Sequence, residues 1–289
     1  MKILSENIYK DLQVKKKKMK GAILISGAYK NATVPILELL KWFRKHENYE
    51  IDVFIHAWWD KSYVGKRYRH DHLSIVEEDP TQEILEKIKP KRFLLEPQCR
   101  VDFTDLPFKV EAGGTPYLRE IAYFAIFSQM ESLKRCFNLV ENPDQYDFIM
   151  RLRGDLYITE ESYRMQLTKE DFTANNVYIS DGQFFTGWPF GDWTYVARPK
   201  IMELFILHQE KIFRHICKEL GYCPHIHIYM PTIFKMIGVN PIRWYIPLKI
   251  TRLSDKHSNH LLVDTNENRE DKDPFFWDLI DKQRLEVPL

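Results

Sequence analysis

The segment YDFIMRLRGDLYI, residues 146–158, sets two arginines, a glycine and an acid at the end of an apolar run. Strand side chains alternate with a period of two, so Arg151 and Arg153 share one face. Guanidinium groups on the face of an apolar strand require anionic partners, either protein carboxylates or ligand phosphate. Asp155, one residue past Gly154 at the predicted strand tip, suits a hard divalent cation that keeps some water and bridges a diphosphate. The competing reading is an Arg–Asp pair that only fixes the loop.

A second group lies in SDGQFFTGWPFGDWTYVARPKIM, residues 180–202. Asp181 follows a predicted strand, Gly182, Gly187 and Gly191 permit sharp turns, and Trp188 and Trp193 offer flat faces for a sugar. Asp192 sits between Gly191 and Trp193, and the competing reading for both Asp181 and Asp192, the favoured one for Asp181, is that they only close turns through side-chain to backbone bonds. A third group is histidine near the C-terminus: His225, His227, His257 and His260. His215, Cys217, Cys223, His225 and His227 also fall close together, but without the paired spacing of a zinc site. Cys99, Cys136, Cys217 and Cys223 therefore read as reduced thiols, too few and too scattered for a disulfide scaffold.

These residues need a frame. Lys20 to Ser26 is a short apolar run stopped by Gly27, the pattern of a buried central strand. Asn31 or Thr33 caps a following helix with Pro35 in its first turn and the stripe Ile36, Leu39, Leu40, Phe43. Glu50 to Ala57 reads as a second strand, Asp79-Pro80-Thr81 opens a helix over ILEKIK, and Lys91 to Leu95 makes a third strand. A long helix runs from about Tyr117 to Val140, then a fourth strand from Tyr146 to Leu152. Val177 to Ser180 and Trp193 to Ala197 are further strands, with helices at about 199–220 and 230–237. Strands alternating with helices predict an α/β fold, a mostly parallel central sheet flanked by helices, with a less regular C-terminal third.

In such a sheet, ligands bind beyond the carboxyl ends of the strands. The first strand delivers Ser26, Gly27, Ala28 and Tyr29 there, the second His56, Trp58, Trp59 and Asp60, and the fourth Arg151, Arg153, Gly154 and Asp155. GAYKN after the first strand is neither a G-x-G-x-x-G fingerprint nor a P-loop, which counts against dehydrogenases and P-loop kinases.

YDFIMRLRGDLYI, with DVFIHAWWD before it, resembles the metal-binding strand end of glycosyltransferases with the A-type (GT-A) fold, and within them polysaccharide-synthesis enzymes with an Arg-x-Asp-like motif. The likeness spans roughly residues 20–245. Arg153 stands where many such enzymes carry the first acid, so Asp155 is the motif residue carried over as metal ligand. The resemblance implies transfer of a hexose or pentose from a nucleotide-diphosphate donor, with UDP the favoured base, to a glycan acceptor of surface or capsid type. It implies a divalent cofactor, Mn2+ or Mg2+, with Asp155 and a late His257 as ligands and Arg151 or Arg153 assisting at the diphosphate. Ser26, Gly27 and Ala28 would lie against the nucleotide, and His56 and Asp60 near base or ribose. Trp58 and Trp59 would stack on base or sugar, or else pack in the core. Trp188 and Trp193, with Asp181 nearby, would line the acceptor. Asp192 would be the general base that takes the acceptor hydroxyl's proton, and, as the alternative to His257, Lys249 and Arg252 would meet the diphosphate as a C-terminal flap closes. The alternative on the same fold is a non-catalytic nucleotide- or carbohydrate-binding module.

The 289 residues carry 42 Lys+Arg against 41 Asp+Glu, a net charge of +1. That balance excludes a general nucleic-acid binder, which needs a basic surplus to displace counterions. Apolar residues make up 44%, enough for a substantial core, and aromatics an unusual 14%. No secretion signal or 20-residue apolar span is visible. Residues 1–19 read as a basic lead-in, with Lys15–Lys18 able to touch an anionic membrane surface. Residues 20–253 read as one catalytic domain (nucleotide half about 20–158, acceptor half about 159–253) and 254–289 as a loop-like tail. Cytoplasmic residence follows as the expectation.

Overall fold

The apolar run from Lys20 to Ser26 lies inside β1 (Met19–Ala28), and its alternate residues face opposite helical layers. A computed structural model describes residues 18–29, 33–45, 48–60, 78–99, 101–107, 119–154, 156–158, 167–180, 190–192, 194–224, 226–244 and 248–250. Four strands pair in parallel with their helices between them in the chain. They are β1, β2 (Tyr49–Trp58), β3 (Arg92–Glu96) and β4 (Phe148–Leu152). Beyond β4 the sheet continues through β6 (Asn176–Ser180), β7 (Thr194–Ala197) and β8 (Asn240–Trp244) in the order β3-β2-β1-β4-β7-β6-β8. β7 runs antiparallel to both its neighbours, while β6 and β8 are parallel to each other. This is the mixed α/β class with a mostly parallel sheet that the alternating pattern predicts.

Two helical layers cover the sheet. On one face lie α1 (Thr33–Lys45) and α2, which is Thr81–Glu83 continuing into a π-helical turn at Ile84–Ile88. Ile36, Leu39, Leu40, Trp42 and Phe43 of α1 pack with Ile84 and Ile88 against Ile23, Ile25, Val53 and Ile55. On the other face lie α3 (Arg119–Asn138), α4 (Pro199–Leu220) and α5 (Ile226–Met236), over Ala22, Leu24, Phe54, Ile149 and Ile179. α4 begins with Pro199, whose fixed φ suits a first helical turn, and ends at Gly221 with φ 70°.

Three differences from the sequence reading have physical causes. ILEKIK is a π turn rather than a regular helix, and it closes at Lys89 in the left-handed region, φ 55°. The last helix starts at Ile226, not 230, because Pro231 is tolerated inside it. β8 and the small antiparallel pair β5 (Leu156–Ile158) with β9 (Leu248–Ile250) were not anticipated. The latter two are three residues long, too short for a periodic signal.

Candidate functional site

β1, β2, β3 and β4 all end on one edge of the sheet, and antiparallel β7 starts there, because Leu152 pairs with Thr194. Ser26–Ala28, Trp58–Asp60, Arg153 and Asp192 are therefore gathered from distant parts of the chain. Register carries this further. Ile25 pairs with Leu152 and Ser26 with His56, so Ser26 lies in the row between His56 and Arg153.

Arg151 and Arg153 both answer to Asp192. Arg151, 1% exposed, donates from Nη1 to the backbone carbonyl of Asp192, and its guanidinium carbon lies 5.6 Å from the centre of the Tyr195 ring. Arg153 Nη1 is 3.5 Å from Asp192 Oδ2 in a partly buried ion pair. The surrounding corner is pinned by backbone and hydroxyl bonds. Gly191 N donates to Ser180 O at 2.6 Å, Thr194 N to Ser180 Oγ at 3.3 Å, and Thr194 Oγ1 to Arg151 O at 2.6 Å. The paired arginines thus have a protein carboxylate and a carbonyl as partners, and the Arg–Asp pair joins Arg153 to Asp192. Below it, a cavity of about 20 Å³, room for about one water, is lined by Arg151, Asp192, Tyr195, Gln209 and Tyr229 among others. Burial, opposed by the Arg151 guanidinium and reinforced by the Asp192 charge, pushes both the Tyr195 and Tyr229 hydroxyls up, so they stay neutral.

The β1 end is open. Gly27 has φ 124°, which L side chains rarely adopt, and a Cβ there would meet no atom within 4 Å. Open space beside the half-buried Gly27 is what a close-lying ligand needs. Ser26 Oγ is buried with no hydrogen-bond partner among the described residues. Ala28 is half-buried and Asp60 half-buried at the β2 exit.

Two expected ligand contacts are corrected by burial. His56 is fully buried, with Nδ1 2.7 Å from Ser132 Oγ and Nε2 2.8 Å from Glu96 Oε1, so both ring nitrogens are engaged by protein. Trp58 is 2% exposed; its Nε1 donates to Ser128 O at 2.9 Å and Arg135 lies 5.3 Å from its ring centre. Neither offers a face to a base or sugar, and for Trp58 the packed-core alternative holds. Trp59 remains half-buried, its N–H donating to Glu96 O at 3.0 Å.

Burial pulls the His56 imidazole below its usual value, partly opposed by the Glu96 carboxylate. Burial alone would raise Glu96, but bonds from His56 and Arg135 outweigh it and hold the carboxyl low. Arg135 completes the group, donating to Glu96 and, from Nε, to Glu131 at 2.8 Å. Sequence reasoning missed Ser132, Glu96 and Arg135. A serine on the buried side of a helix was the available signal.

Asp155, Asp181, Trp188, Trp193 and His257 lie outside the described residues, as does Arg252. Among the described residues no three His, Cys, Asp or Glu side chains converge on a point that could hold a metal ion. Asp192 faces Arg153 and His56 is engaged on both nitrogens, so these residues do not themselves supply a ligand set. All four cysteines are free thiols, and Cys136, Cys217 and Cys223 are buried. No described helix is long and apolar enough to cross a membrane.

No protein-family model matches the chain, and no curated protein matches it. Among solved structures it is similar to a glycosyltransferase involved in glycosylation of the major capsid of PBCV-1. That match has a TM-score of 0.37 and 9% identity, over 78% of this chain and 82% of the other. It is also similar to the galactosyltransferase LgtC, solved with donor and acceptor sugar analogues. Here the TM-score is 0.36 and the identity 11%, over 71% of this chain and 73% of the other. Likeness at this level says nothing of what this chain acts on.

Proposed function

We propose that this chain is a nucleotide-sugar-dependent glycosyltransferase, with UDP-sugars the favoured donors and a glycan the acceptor. The observation that carries the reading is the juxtaposition at the carboxyl edge: the small-residue end of β1 beside a half-buried Arg153 and a carboxylate, Asp192. A donor diphosphate would lie over Ser26–Ala28 with Arg153 offsetting its charge, and Arg151 holding the Asp192 corner from beneath. An acceptor hydroxyl attacks the anomeric carbon, its proton passes to Asp192, and the bond to the diphosphate oxygen breaks with its electron pair leaving on the nucleotide. Asp60 fits the ribose, and Asp181, Trp188 and Trp193 the acceptor.

A divalent ion held by Asp155 and His257 would stabilise negative charge on the leaving diphosphate. Support for those two residues comes from β9, whose Ile250 pairs with Leu156, the residue after Asp155.

The test is release of nucleoside diphosphate across a panel of UDP- and GDP-sugars with and without manganese. One donor class should be consumed, with activity lost on chelation and in Asp155→Asn. Asp192→Asn should slow transfer by about 100-fold or more, with an unchanged circular dichroism spectrum. A panel with no donor bound or consumed would overturn the proposal. Binding without turnover would favour the non-catalytic module instead. One observation leans that way, since the Asp192 carboxylate is already engaged by Arg153.

A further inference from the structure

We propose that Ser132 of α3, through its bonds to Gly27 and His56, is a positioning residue for the donor-binding end of β1. The inference rests on the glycosyltransferase reading for what β1 binds. Ser132 is fully buried, and its Oγ makes three contacts. It accepts from Gly27 N at 2.7 Å, lies 2.7 Å from His56 Nδ1, and lies 3.2 Å from His56 O. Since a carboxylate only accepts, His56 Nε2–H donates to Glu96 and Nδ1 is left to accept the Ser132 hydroxyl proton. The chain of donors then runs from Gly27 N–H to Ser132, from Ser132 to His56, and from His56 to Glu96, which Arg135 also bonds.

Every donor in that chain has an acceptor, and it links α3 to the carboxyl ends of three adjacent strands. Its far end is a single backbone amide, that of the one β1 residue with a positive φ. A glycine at φ 124° with open space around it has no side chain to fix its peptide plane. Ser132 does so from outside the strand. An aliphatic residue at 132 would take the acceptor from the part-buried Gly27 amide and the donor from the fully buried His56 Nδ1, a loss that frees the Gly27 peptide to reorient. His56, buried and turned away from solvent, thereby contributes to the edge without touching what binds there.

Ser132→Ala, Glu96→Ala and Glu96→Gln test this in the full chain. The readouts are donor KM and kcat, UDP affinity by calorimetry, and hydrogen exchange at the Gly27 amide. Ser132→Ala should raise the donor KM and weaken UDP about tenfold with kcat changed by less than about threefold, the pattern of lost uniform binding. It should also expose the Gly27 amide to faster exchange. Glu96→Gln keeps an acceptor for His56 and should lose less than Glu96→Ala. Unchanged UDP affinity in Ser132→Ala, whatever happens to its melting temperature, would overturn the inference and leave the functional reading standing. A wild-type chain that binds no nucleotide and consumes no donor would overturn the functional reading, and the inference with it.

Discussion

Arg153 and Asp192 meet at 3.5 Å with side chains only partly exposed, so each limits what the other can do. On the proposed function, a bound diphosphate would draw part of the attraction of Arg153 away from Asp192 and leave the carboxylate available for an acceptor proton. The two roles are separable by kinetics. Arg153→Met is expected to raise the donor KM about tenfold or more, the worth of one charge-assisted hydrogen bond. If Asp192 is the base, Asp192→Asn should act on kcat, because an amide keeps the shape but cannot take the proton. Equal effects of both variants on kcat alone would contradict this division. His56 and Trp58 teach the opposite lesson: both are polar-tipped residues at a strand end, yet both aim inward at α3, Trp58 onto Ser128 and His56 onto Ser132.

β1 shows why an element can depend on a residue with no side chain. Gly21 pairs with Phe148 across the β1–β4 ladder, and the Phe148 ring fills the space that a Cβ would occupy. An added Cβ would also come within 2.8 Å of Ile51 Cδ1. Gly21→Ala should therefore destabilise by about 1–3 kcal/mol through overpacking, read as a lower urea midpoint with unchanged slope. A variant as stable as wild type would mean that Phe148 moves aside freely. The KGAILIS run was legible as a strand from its apolar content, but the demand for glycine at its start comes from β4, far along the chain. β8 shows the limit of pattern reading, since Asn240–Trp244 contains a proline and an arginine and has no clean period.

Stability of the molecule as a whole should fall on the acid side in two stages. His56 is held below the ordinary imidazole value, chiefly by burial. A depressed group contributes fully above its unfolded value, about 6.5, and loses that contribution as pH falls toward its folded value. The melting temperature should thus decline between about pH 7 and pH 5, and His56→Gln should flatten that limb. A second decline below about pH 4.5 comes from Glu96 and Asp52. Bonds from His56 and Arg135 lower the first, and bonds from Lys91 and Tyr146 the second, each outweighing burial. A pH-independent melting temperature between 7 and 5 would count against the buried, neutral His56.

Periodicity alone was enough for the α/β class, the buried first strand, the long third helix and the shared face of Arg151 and Arg153. Those follow from local rules: alternation along a strand, spacing along a helix, and glycine or proline at the ends. The reading of Phe43, Phe54, Phe124, Phe127 and Phe148 as core filler was legible in the same way, since four of them are buried and Phe124 is half-buried. Which groups answer one another was not. Arg151 reaches Asp192 across 41 positions, and Gly27 reaches Ser132 across 105. Both contacts exist only because β7 enters antiparallel beside β4 and because α3 crosses over the ends of β1 and β2. No local pattern encodes a strand's direction in the sheet or a helix's path across it. The same reason explains the tryptophans: a strand end predicts proximity to the edge, but only packing against α3 turned Trp58 inward.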